Sequence, residues 1–188
     1  MQIIIGLGNP GDKYALTRHN AGWLALDRLA GAEGWRQEKK FNALIKESGG
    51  FLYLKPLSFM NNSGNSVYRA MRYYQLLSRQ FGCLLKKNQN LNKVLFVIQD
   101  DLDLKLGSWK ISHDSRSGGN KGIQSIINHL KTQQFTRLRL GIKTDSLHNP
   151  IPADKFVLQK FENNELPILE EAISQGLKAL QTETYQNK

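Results

Sequence analysis

Four polar segments stand where a strand pattern gives way to a loop or helix: Gly8-Asn9-Pro10-Gly11, Thr17-Arg18-His19-Asn20, Phe59-Met60-Asn61-Asn62-Ser63-Gly64 and Gln99-Asp100-Asp101-Leu102-Asp103. Histidine is the side chain whose charge changes closest to neutral pH, so His19 is suited to take a proton from water. A carboxylate on its other ring nitrogen would hold the tautomer and stabilise the imidazolium, and Asp100 is the strand-end candidate. The amides of Asn9 and Asn61 can hold a carbonyl or a developing oxyanion without adding titratable charge. No serine or cysteine lies in a recognisable nucleophile motif, which favours activated water over a covalent intermediate.

Plainer roles exist for the same residues. A histidine beside a helix start often caps or packs, and asparagines in such loops often only turn the chain. Asp100, Asp101 and Asp103 offer oxygens to Mg²⁺, yet no matching set occurs elsewhere. Gly6-Leu7-Gly8-Asn9-Pro10-Gly11 satisfies the dinucleotide-binding pattern after a strand. That reading needs a helix starting within the glycines, whereas the helical pattern begins only near Asn20, and Glu47 is the sole carboxylate near the expected ribose position.

The elements that must position these groups follow from periodicity. Gln2 to Leu7 reads as a buried strand, and Asn20 as the N-cap of a helix ending near Gly31 or Gly34. Residues 41–48 and 51–55 form a hairpin around Gly49-Gly50. A helix is expected from Asn62 or Ser63 to about Leu77, then an insertion or loop over 78–93. Val94 to Ile98 reads as a central strand delivering Gln99, Asp100 and Asp101 at its C-terminal end. A strand over Ser108–Ser112, a helix from Lys121 to Leu130 and a strand over Arg137–Ile142 follow. A last amphipathic helix runs from an Asn163 cap to about Thr182, with Pro167 in its first turn. The expectation is one α/β domain over 1–188, with a twisted mixed central sheet and helices on both sides.

Composition narrows the partners. Twenty-six Lys+Arg against 16 Asp+Glu leave a formal charge of +10, which favours an anionic partner, nucleic acid first. The single cysteine, Cys83, cannot form an internal disulfide, and nothing approaches the roughly 20 apolar residues of a membrane helix. We therefore expect a cytoplasmic, unexported protein with no membrane association.

In order along the chain, GLGNPG, Y-x₂-TRHN-x-G, FMNNSG, DDLDL, SGGNKGI and RLRLGI resemble the bacterial peptidyl-tRNA hydrolase family over residues 1–75 and 94–180. The resemblance implies a metal-free, cofactor-free esterase, expected to be a monomer, that frees tRNA from peptidyl-tRNA. It makes His19 the general base and Asp100 its orienting carboxylate, with Asn9 and Asn61 around the ester and Tyr14 and Met60 lining the same crevice. Lys110 and Arg139 match positions directed at tRNA phosphates, where charge supplies affinity. Three departures stand out. Gly118-Gly119-Asn120-Lys121-Gly122 replaces the family's GGHNG, so Lys121 takes the place of a functional asparagine in the substrate site; Ser112 replaces a lysine; and the 78–93 insertion is long and basic. The other reading is an inactive RNA-binding relative of the same fold.

Overall fold

The computed structural model describes residues 1–80, 84–144 and 151–185. Cys83 and part of the insertion therefore lie outside the described residues.

The first strand, β1 (Gln2–Gly6), is buried throughout, and its alternation sends Ile3 and Ile5 to one side of the sheet and Ile4 to the other. Helix α1 (Ala21–Ala30) follows, then β2 (Arg36–Glu38), β3 (Ala43–Ser48) and β4 (Phe51–Pro56). Gly49 and Gly50 join β3 to β4 at φ 59° and 83°, a two-residue turn of left-handed backbone that glycine adopts without strain. Helix α2 (Ser63–Tyr73) is shorter than its pattern suggested, because Gln75 takes a left-handed φ of 57° and ends it.

The insertion is more than a loop. It holds a small antiparallel pair, β5 (Arg79–Gln80) and β6 (Leu84–Leu85), and it buries Leu91 in the core. Next comes β7 (Leu95–Lys105), which corrects the expectation that the strand ends at the acidic cluster. The remaining elements are β8 (Trp109–Asp114), α3 (Lys121–Leu130), β9 (Gln134–Lys143), the short α4 (Ala153–Phe156) and α5 (Leu166–Tyr185). Helix α5 starts three residues after the expected Asn163 cap. Residues 162–165 instead form a turn in which the Leu166 N–H donates to the Glu162 carbonyl.

Seven strands form one mixed sheet in the order β2-β3-β4-β1-β7-β9-β8. The inner neighbours β4/β1, β1/β7 and β7/β9 are parallel, and the outer pairs are antiparallel. Val67, Ala70 and Met71 of α2 and Ile123, Ile126 and Leu130 of α3 pack on the side bearing Ile3, Ile5 and Val97. Ala25 and Leu26 of α1 and Leu169, Ile173 and Leu177 of α5 cover Ile4, Phe96 and Leu138 opposite. This is the expected α/β sandwich with helices on both faces. Among the described residues no helix is long and apolar enough to cross a membrane.

One close approach sets the height of α1 on the sheet. A Cβ on Gly22 would lie 2.4 Å from the Ile98 carbonyl oxygen and 2.6 Å from Leu7 N, so only glycine lets the helix sit this near β1 and β7.

Candidate active site

Strand β1 stops pairing where Gly6 meets Ile98, while β7 runs on through Lys105 along β9. From Gln99 onward β7 overhangs its shorter neighbour above the end of β1, the place where open α/β sheets form their binding crevice. This is the C-terminal side of the parallel strands, where α/β sheets place their ligands.

The chain between β1 and α1 fills one wall of that crevice. It turns through two short 3-10 segments, Asp12–Tyr14 and Arg18–Asn20, so the glycines open no helix and the dinucleotide reading fails. His19 Nδ1–H donates to Asp100 Oδ1 at 2.8 Å, with His19 8% and Asp100 3% exposed. With Nδ1 carrying the proton, Nε2 keeps the lone pair of a base. Asp100 accepts a second bond on the same oxygen from Asn120 Nδ2 at 3.1 Å. Asn120 Oδ1 in turn caps α3, accepting from Gly122 N and Ile123 N at 3.0 and 3.1 Å.

Asn9 is held just as firmly. Asn20 Oδ1 accepts from Asn9 N at 2.8 Å and Asn20 Nδ2 donates to Asn9 O at 3.0 Å, so Asn20 clamps the loop instead of capping α1. Asn9 Oδ1 accepts from Met60 N at 2.9 Å, which fixes the amide, and its Nδ2 has no hydrogen-bond acceptor among the described residues. Met60 packs so close to α3 that a Cβ on Gly122 would fall 2.4 Å from its sulfur. His19, Asp100, Asn120, Met60, Asn9 and Asn20 thus close a ring of contacts drawn from five chain segments.

Residues expected around this ring occupy different settings. Asn61 is exposed in the Met60–Asn62 turn. Tyr14 is half-buried, edge-on to Phe59 at 6.2 Å between ring centres, and Phe59 is 58% exposed. Lys121 is exposed at the first residue of α3 and makes no ion pair among the described residues. Asp101 is turned away from Asp100 by strand alternation and accepts from Arg139 Nε at 2.6 Å, so Asp100, Asp101 and Asp103 do not converge on one cation. Arg139 is therefore tied to a carboxylate, whereas its cross-strand neighbour Lys110 is exposed. Arg137, opposite Ser112, is 1% exposed and donates to the Arg116 and Ser115 carbonyls. Burial, with the nearby Arg139, pushes its pKa down to about 10, still cationic at neutral pH.

Sequence reasoning missed Asn120, Asn20 and Arg18. The position of Asn120 just before an apolar helical run was a cap signal. The clamp made by Asn20 and the anchoring of Arg18 had none, because their partners are distant in sequence. Arg18 is buried, donates from Nη2 to both Glu165 carboxylate oxygens at 2.8 Å, and lies over Phe156 and Phe161.

A buried histidine–carboxylate pair and a fixed amide stand together at the crest of a mixed α/β sheet, an arrangement suited to a hydrolase. The sequence profile of the peptidyl-tRNA hydrolase family matches residues 3–187, and the chain belongs to that family. It is 40% identical over 179 residues to the peptidyl-tRNA hydrolase of Mycoplasma capricolum, covering 93% of this chain and 88% of that protein. With the enzyme of Latilactobacillus sakei it shares 36% identity over 193 residues, covering 96% and 91%. The crystal structure of the Acinetobacter baumannii peptidyl-tRNA hydrolase superposes with a TM-score of 0.76 at 29% identity, spanning all of this chain and 92% of that one.

Proposed function

We propose that this chain hydrolyses the ester between peptide and tRNA with His19 as general base. The observation that carries the proposal is the buried 2.8 Å bond from His19 to Asp100 in the crevice beneath the β7 overhang. His19 Nε2 takes a proton from water as the water oxygen attacks the ester carbonyl. Asp100 holds the ring and stabilises the imidazolium that forms. The Nδ2 hydrogens of Asn9 meet the oxygen that gains charge. Collapse of the tetrahedral intermediate expels the ribose oxygen, which takes the proton back from the imidazolium.

Asn61, Tyr14 and Met60 line the path of the peptide, and Lys121 contacts the backbone of the terminal nucleotides. Lys110 and Arg139 serve the tRNA phosphates, with Arg139 exchanging Asp101 for a phosphate or sharing its donors between them. The protein acts as a cytoplasmic monomer and needs no metal or cofactor for this chemistry.

The test is single-turnover release of labelled peptide from N-blocked aminoacyl-tRNA. Wild type is expected to release peptide and His19→Ala to fall about 10²–10⁴-fold while still binding tRNA. Unchanged turnover in the variant would remove His19 as the base. Binding without release by the wild type would instead make this chain an inactive RNA-binding relative.

A further inference from the structure

A second groove lies away from the crevice, along the exposed side of α2. It encloses about 1140 Å³ between α2, the turn before β3 and the β5/β6 pair of the insertion. Asn65, Tyr68, Arg69, Arg72 and Tyr73 recur at spacings of three and four, so they form one stripe about 12 Å long.

The charge of this groove is one-sided. Lys40, Arg69, Arg72 and Arg79 line it, and no carboxylate does so among the described residues. Arg69 bonds only Asn65, at 3.1 Å, and Arg72 has no ion pair among the described residues. Among the described residues Lys40 alone of these cations ion-pairs with an acid, Glu38 at 3.6 Å. Arg69 and Arg72, three apart on one helix, repel each other mildly, and an anion between them would relieve that repulsion.

Aromatic rings are interleaved with these cations. Tyr73 is 56% exposed, with the Lys40 ammonium 4.0 Å from its ring centre, and Phe41 stands edge-on to it at 5.4 Å. Cations spaced along a groove suit a chain of phosphates, and the exposed ring of Tyr73 beside them suits a stacked base, whereas Phe41 is buried behind it. An isolated phosphate would leave the Tyr73 ring unused.

Its position separates this groove from the substrate's tRNA. Lys110 and Arg139 lie on β8 and β9 at one edge of the sheet, whereas Lys40 and Phe41 of the groove immediately precede β3 near the other. Four strand spacings, about 19 Å, divide β9 from β3.

We propose that this groove binds single-stranded RNA separate from the tRNA held at β8 and β9, a placement of the tRNA that rests on the function proposed above. Arg69 and Arg72 grip successive phosphates and Tyr73 stacks on a base.

The test uses the full chain and a fluorescently labelled ten-nucleotide oligouridylate, with binding followed by anisotropy across a salt series. Arg69→Ala/Arg72→Ala is expected to weaken binding at least tenfold and to lower the salt slope by about 1.4, since each single-strand phosphate contact contributes about 0.7. Tyr73→Ala is expected to weaken it about tenfold. His19→Ala binds the oligonucleotide as wild type does, so a failed hydrolysis assignment would leave this result untouched. All three groove side chains are exposed or nearly so, and unchanged thermal midpoints would show the variants folded. Undiminished binding by the groove variants would overturn the proposal. Equally tight binding of polyglutamate would overturn it in favour of an acidic polypeptide. The KM for peptidyl-tRNA is expected to stay the same in Arg69→Ala/Arg72→Ala; a raised KM would overturn the separation and give the groove to the substrate.

Discussion

At the scale of single residues, Asp100 connects His19 to the start of α3. It accepts from His19 on one side and from Asn120 on the other, and Asn120 is itself held by the first amides of α3. Two donors on one oxygen hold the carboxylate in one orientation, which a histidine base requires. Asp100→Asn keeps the shape but can present an amide donor to Nδ1, and kcat is expected to fall about 10²–10⁴-fold in the peptide-release assay. Asn120→Ser separates two roles of one side chain. Serine caps a helix about as well as asparagine, so the urea midpoint should barely move, whereas loss of a bond to a charged carboxylate should lower kcat about tenfold. A kcat equal to wild type would mean that His19 alone orients Asp100.

At the scale of elements, the Thr17–Asn20 segment is shaped by partners more than a hundred residues away. His19 N–H donates to the Val157 carbonyl at 2.8 Å and Arg18 N–H to the Gln159 carbonyl at 2.9 Å, so His19 rides on the stretch leading from α4 towards α5. The Arg18 guanidinium is sealed against Glu165, with side chains only 3% and 10% exposed. Removing one partner from such a pair strands a buried charge. Arg18→Ala is expected to lose about 3–5 kcal/mol in urea unfolding and to lower activity by displacing His19. A loss below about 1 kcal/mol would mean that water reaches Glu165. Lys55 and Asp27 form a similar pair beneath α1, where burial lowers the lysine pKa and the Asp27 contact partly restores it.

Across the whole molecule, the excess of positive charge is distributed between separate faces. Lys110 lies exposed on β8 beside Arg139, and a second set of cations lines the α2 groove. Counterion release makes each phosphate contact visible as salt dependence. Lys110→Ala should therefore lower the slope of log affinity for tRNA against log salt by about 0.9, with kcat at saturating substrate retained. An unchanged slope would exclude that contact.

Much of the architecture was legible in the order of residues. The alternation of β1, the Gly49-Gly50 turn and the start of α3 at Lys121 are local matters, governed by side-chain period and backbone preference within a few residues. The six ordered motifs brought His19, Asp100 and Asn9 together as candidates before any distance was known. What sequence left open depended on contacts between distant segments. Strand β7 runs past Asp100 because β9 continues to pair with it, whereas pairing with β1 stops at Gly6. The polar residues at 99–103 look like a strand end only when that neighbour is out of view. Asn20 reads as a helix cap, yet its amide is drawn to Asn9, where it satisfies both a donor and an acceptor of the loop backbone. Residue types and periods thus determined most of the elements and singled out His19 and Asp100 as a candidate pair. The ring of contacts around His19 and the second basic groove were decided only when the tertiary fold brought segments distant in sequence together, the ring within hydrogen-bond reach.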